Sequence, residues 1–382
     1  MAEFVPATAR ARIAQLDIEI RHLRDPDSGD SLVLERQNLR QDLADYKYPV
    51  LTLPTEITSE IFIRFVPWHS RLVDYNSPAF LLQICRHWRD VALTTPALWS
   101  SFWLCIYDEP VQIQLRKLQT WLQRSKDYPL SFHIQCVYGP RHQAMDPIID
   151  AVVSHASRWQ HVNIFLPSIE KFGRLVGPMP LLRSACVDVE DWGRGKEATV
   201  AVALFTEAPN LKHAFLHVLF EPSRLALPWS QLTTLTAEFL FPAQAIEILC
   251  NAKLLQYCSM TIRLSGHSYT AEHSSAVPSF PPLPLRTLRL LADSDDPGLE
   301  MPALFKAFTL PALQCLYVDE QFLQPDPIAS LRDAFCSCGF PQKTIIWNSR
   351  LSTYKTAFPD AYFLFEWDDW CWDSEEWQSD SE

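Results

Sequence analysis

Glycine is scarce, nine in 382 residues, and that scarcity removes several chemistries at once. The sequence holds no G-x-G-x-x-G, no G-x-x-x-x-G-K-[ST], no G-x-S-x-G and no H-E-x-x-H. The nearest approach to a phosphate loop, Gly193-Arg194-Gly195-Lys196, lacks both the spacing and the Ser or Thr. A catalytic triad assembled in space could escape such a scan, but nothing argues positively for an enzyme. We therefore expect no catalytic residue, no metal and no cofactor. Long apolar runs are also missing. No uncharged stretch approaches the ~18 residues of a membrane span, and the start, MAEFVPATARARIAQ, has no apolar signal core. Lysine and arginine form no cluster that could track phosphates, so neither a membrane nor a nucleic acid is an expected partner.

Paired cysteine motifs are lacking too. Ten cysteines are scattered, mostly inside apolar segments, as at Cys186, Cys258 and Cys315. They read as reduced, buried side chains of a cytoplasmic or nuclear protein. Cys336 and Cys338 form a C-x-C with no second pair at zinc spacing. The net charge of −12 is concentrated at one end. Residues 366–382 hold eight carboxylates and no base, so removing those eight leaves a body near −4. The tail also carries Trp367, Trp370, Trp372 and Trp377. Tryptophan is costly to expose, so its first part is expected to dock as a cap while the acidic end frays.

Helical patterns open the chain. Ile13, Leu16, Ile20 and Leu23 make one short stripe, Asp25-Pro26-Asp27-Ser28-Gly29 breaks it, and Leu32, Leu39, Leu43 and Tyr46 make another. Residues 1–48 are expected to form a helical hairpin or short coiled coil. A coiled coil between two chains through residues 8–47, giving a dimer, stays open. Three proline-initiated helix starts follow at Pro54, Pro78 and Pro96. The first helix offers Ile57, Ile61, Phe62 and Phe65 for burial. The second offers Leu81, Ile84, Cys85, Trp88, Val91 and Ala92 in one unbroken stripe. The third is a single turn at Leu98 and Trp99.

Here the residues resemble a known family. Leu53-Pro54-x-Glu56-Ile57-x-x-x-Ile61-Phe62 resembles the opening of the F-box. Leu82-x-x-Cys85-x-x-Trp88-Arg89-x-x-Ala92-x-x-x-Pro96-x-Leu98-Trp99 resembles its second half. With Tyr48-Pro49-Val50-Leu51 and the hairpin, the segment looks like a fungal group of such proteins. The resemblance implies an F-box over 49–100 that docks on a SKP-type adaptor and, through it, a cullin–RING ubiquitin ligase. It assigns that contact to Leu53, Pro54, Ile57, Ile61, Leu82, Cys85, Trp88, Leu98 and Trp99, with Glu56 and Arg89 as polar partners. Several of these must also hold the helices together, and Ile61 and Trp88 suit either role.

Beyond residue 100 a unit L-x-x-L-x-L, with apolar substitutes, recurs from Trp159/Val162/Ile164 to Leu313/Leu316/Val318. Helix-like stretches such as Lys196–Glu207, Pro242–Asn251 and Asp326–Phe335 lie between units, and 265–284 reads as a long loop. The expected fold is an α+β or α/β repeat. A three-helix F-box, preceded by the hairpin, is followed over 101–365 by an irregular leucine-rich-repeat-like solenoid. Alternation along its strands exposes Asp188, Glu238 and a target-binding set of Phe165, His213, Phe215, His217, Arg263, Arg289, Tyr317 and Asp319. His213 and His217 lack companions for a metal site. The expected function is substrate recognition for a SKP–cullin–F-box ligase in ubiquitin-dependent degradation, with the target unidentified. The alternatives are an F-box scaffold outside ubiquitination and a hydrolase hidden in the repeats.

Overall fold

The computed structural model describes residues 5–361 except 23–29, 47, 68–69, 73–76, 107–109, 137–144, 168, 190–201, 204, 218–224, 263–281, 293–308, 324–325, 339–340 and 348–350. The tail 366–382, Arg263 and almost all of the 265–284 loop lie outside the described residues. The chain divides into two compact units. The first comprises 1–65 and 81–94, the second 66–80 and 95–382. Residues 49–100 are thus shared between the two units rather than forming one.

In the first unit, α1 (Pro6–His22) and α2 (Asp30–Asp45) pack on each other. Only Ala9 and Leu16 are buried in this pair. Ion pairs between the helices, Arg12–Glu35 at 2.8 Å and Arg36–Asp17 at 2.9 Å, are part-exposed and add little stability. Helix α3 (Thr55–Phe65) starts directly after Pro54, whose carbonyl accepts from the amide of Thr58 at 3.0 Å. It buries Phe62 edge-on against Trp88, with ring centroids 5.0 Å apart. The unbroken second helix expected from the stripe is two helices, α4 (Pro78–Ile84) and α5 (Arg86–Thr94), interrupted at Cys85. The Arg89 guanidinium donates to the Leu82 carbonyl at 2.8 Å, satisfying an acceptor near the break.

The second unit is built on ten parallel strands: β1 (Ser101–Ile106), β2 (Leu130–Cys136), β3 (Trp159–Leu166), β4 (Ser184–Val189), β6 (His213–His217), β8 (Thr234–Leu240), β9 (Tyr257–Ile262), β10 (Thr287–Ala292), β11 (Cys315–Asp319) and β12 (Lys343–Trp347). They form one sheet in that order, and every neighbouring pair is parallel. Strands β5 (Val202–Ala203) and β7 (Leu225–Ala226) make a separate pair. Thus part of the expected Lys196–Glu207 helix is a short strand. The helices of this unit are α6 (Val111–Arg124), α7 (Asp146–Val153), α8 (Pro242–Asn251), α9 (Pro327–Cys338) and α10 (Leu351–Ala357).

This architecture corrects the expected fold. Instead of a three-helix F-box followed by a leucine-rich-repeat-like solenoid, the chain is an α/β protein with a continuous ten-stranded, all-parallel sheet. The apolar triplets do mark strands, and their side chains from Trp159 to Val318 are buried. A strand pattern does not specify its connections, however. Here the described connections range from the fourteen-residue α6 to the 3₁₀ turn Trp229–Gln231.

One sheet face carries the apolar members of each strand and packs inward. Phe102 stacks on Phe132 at 5.5 Å, and Phe132 meets Trp159 edge-on at 5.2 Å. Trp121 of α6 reaches Phe102 at 6.1 Å, and the Trp159 indole donates to the Val152 carbonyl of α7 at 3.2 Å. Both helices therefore lie against this face. After α6, Lys126 adopts φ 47, the left-handed conformation that commonly ends a helix and suits glycine. Lys126→Gly is expected to raise stability by about 1 kcal/mol, read as a higher denaturant midpoint. An unchanged or lower midpoint would show that the lysine is not strained there.

Candidate functional site

Two surfaces, one in each unit, carry the residues singled out by the sequence. On α3, Ile57, Ile61 and Phe65 recur every fourth position and therefore share one side of the helix. They are 50%, 47% and 49% exposed. Ile84 and Leu93 of the same unit are also exposed. Pro54, Glu56 and Arg89 are open to solvent, while Leu53, Leu82, Cys85 and Trp88 are half-buried. The alternation of buried Phe62 with exposed Ile61 settles which of these two α3 residues is core.

Leu98 and Trp99 behave differently. Both lie in the second unit, on a 3₁₀ turn, at 3% and 0% exposure. Trp121 packs edge-on against Trp99 at 5.2 Å, and the Arg124 guanidinium sits 4.3 Å from its ring centre. Neither side chain presents a surface to a partner.

The second surface is the sheet face opposite the packed one. Because every pairing is parallel and nearly in register, side chains align in rows across the strands. One row runs Trp103, His133, Asn163, Cys186, Phe215, Thr236, Ser259, Arg289, Tyr317, Ile345. The next places Phe165, Asp188, His217 and Glu238 side by side on β3, β4, β6 and β8. An imidazole has nitrogens on opposite edges, so a histidine between two carboxylates can engage both neighbouring strands. Nδ1 of His217 lies 2.9 Å from Asp188 Oδ1, and Nε2 lies 2.5 Å from Glu238 Oε2.

What flanks this cluster has no signature in the sequence. Strand β8 bulges between Ala237 and Leu240, and Phe239 there takes φ 60, a left-handed conformation unusual for a bulky residue. The bulge sets the Phe239 ring 5.3 Å from His217, with Phe215 at 6.1 Å. Of the other expected target contacts, Phe165, His213 and Arg289 are half-buried on this face, whereas Tyr317 and Asp319 are only 9% and 6% exposed. Among the described residues no cluster could hold a metal ion, and no helix is long and apolar enough to cross a membrane.

Partial burial alone would lower the pKa of His217, but bonds to Asp188 and Glu238 outweigh it and raise the value to about 9. His133 is shifted the other way, to about 4, by burial against a smaller pull from Asp188. The signs predict a dome. His217 contributes stability that is complete below its ordinary value near 6.5 and is lost as pH rises through 9. Neutral His133 contributes stability present above 6.5 that is lost as pH falls towards 4. Half-buried His155, also lowered chiefly by burial, acts in the same acid range. Denaturant midpoints should therefore peak near neutrality, and His217→Gln should flatten the fall between pH 7 and 9 by about 2 kcal/mol. Half-buried Cys186 and buried Cys258, whose thiols are pushed up chiefly by desolvation, extend the alkaline fall above that window. Parallel curves for wild type and variant would show that His217 holds no bonding proton in this range.

No family model matches the chain, and no curated protein matches it. Among solved structures, a Bacteroides fragilis protein determined as a structural-genomics target aligns at 11% identity and a TM-score of 0.37. The alignment covers 69% of this chain and 72% of that one.

Proposed function

We propose that the chain is a substrate-recognition subunit of a SKP–cullin–F-box ubiquitin ligase. In this reading α3 docks on a SKP-type adaptor, and the open sheet face takes a target protein. The observation that carries the reading is the solvent-facing apolar line Ile57, Ile61 and Phe65. It coincides with the segment whose order and spacing resemble the F-box. An apolar stripe on an exposed helix suits insertion into a partner's groove, where a few anchors dominate the energy.

The mechanism needs no chemistry from this chain. Binding both adaptor and target raises the effective concentration of a target lysine near the ubiquitin-loaded enzyme. Leu98 and Trp99, buried in the second unit, are left out of the proposed contact. Co-expression of the full chain with a SKP-type adaptor tests the proposal. Stable co-purification in a one-to-one complex is expected, and failure of the wild-type chain to co-purify would overturn it.

A further inference from the structure

We propose that the ground over Asp188, His217 and Glu238 is a recognition point for a lysine or arginine side chain, presented between apolar residues by a partner protein. The inference rests on the reading of the sheet face as a target-binding surface and names the chemistry that surface selects.

Charge complementarity is the first argument. From β1 to β9 no lysine or arginine occupies the open-face positions of the aligned rows. On the strands bases appear there further along, at Arg289 and Lys343, and at the opposite edge of the sheet the Arg71 guanidinium lies 4.6 Å from the Trp103 ring centre. With the imidazole protonated, two carboxylates against one cation leave a net single negative charge. Each carboxylate uses one oxygen on His217. The two side chains keep 23% and 29% exposure, so a cation can reach them without entering the core.

A second, independent observation is Thr236, two residues before Glu238 and on the same face of β8. It is 4% exposed, and its hydroxyl has no partner among the described residues. A buried hydroxyl left unpaired is costly, and here it borders the cluster on the same face. The third argument is the apolar frame. Phe215 and the bulged Phe239 flank His217 and offer ring surface to the stem and head of a long cationic side chain. A carboxylate ligand would meet the same frame with the wrong sign.

The test uses the full chain and a capped nine-residue peptide with leucine on either side of a central lysine. Matched peptides carry norleucine or glutamate at the centre. Binding is followed by calorimetry and by the ¹⁵N resonances of the His217 imidazole. The lysine peptide should bind and move those resonances, while the other two should not. Equal binding of all three, no binding of the lysine peptide, or preference for glutamate would overturn the inference.

Two variants then act in opposite directions. Glu238→Gln removes attraction and should weaken lysine-peptide binding by about fivefold. His217→Gln removes the competing cation and should tighten binding by about threefold. A cluster serving only to hold strands together would move both the same way, and that result would also overturn the proposal. Adaptor co-purification is measured on the same preparations. A chain that binds adaptor but no lysine peptide defeats this inference alone. A chain that binds the lysine peptide but no adaptor defeats the ligase reading instead.

Discussion

Replacing Ile57 and Ile61 together by aspartate is expected to abolish co-purification with a SKP-type adaptor while leaving the melting temperature within about 2 °C of wild type. Both side chains are half in solvent already, so exchanging them removes little from the core. In a complex the balance reverses. Each isoleucine entering a groove contributes on the order of 1.5–3 kcal/mol, and a carboxylate forced into the same place adds a desolvation penalty. A combined loss above about 4 kcal/mol weakens binding roughly a thousandfold, which ends co-purification. Phe62 provides the contrast, because it points inward at 2% exposure, and Phe62→Ala should lower stability directly. Should the double aspartate variant still co-purify, α3 is not the docking face and the proposed function loses its main support.

Trp99→Ala should cost about 4 kcal/mol of stability in the second unit, a fall in melting temperature on the order of 10 °C. The indole is fully buried, packed against Trp121 and capped by Arg124. Removing it leaves a cavity beside Trp121 of α6 and strips the guanidinium of its ring partner. Near-UV circular dichroism during thermal unfolding reads the effect. This outcome separates two roles that the resemblance merged, since the F-box pattern assigned Trp99 to the adaptor contact along with Ile57 and Ile61. A melt unchanged from wild type, with adaptor binding lost, would return Trp99 to the interface.

The contrast between these residues shows why the candidate site was only partly legible. A motif records which residue types occur in which order, but not which of them face inward. Ile57 and Trp99 belong to one ordered pattern, yet they lie in different compact units with opposite exposure. The sheet face shows the same division. Alternation along β6 placed His213, Phe215 and His217 on the open face correctly. The same alternation put Tyr317 and Asp319 there as accessible contacts, and both turn out to be nearly covered.

Local sequence determined the local elements. Proline at Pro54, Pro78 and Pro96 marked the helix and turn starts, because proline's missing amide proton costs nothing at a first turn. Spaced leucines marked strands, because a two-residue period is a property of one chain segment. What followed from register alone was invisible in advance: the continuous ten-strand sheet, the Asp188–His217–Glu238 row and the bulge that turns Phe239 toward it. Register is fixed by packing between segments far apart in sequence, so only the assembled tertiary structure could decide which side chains became neighbours.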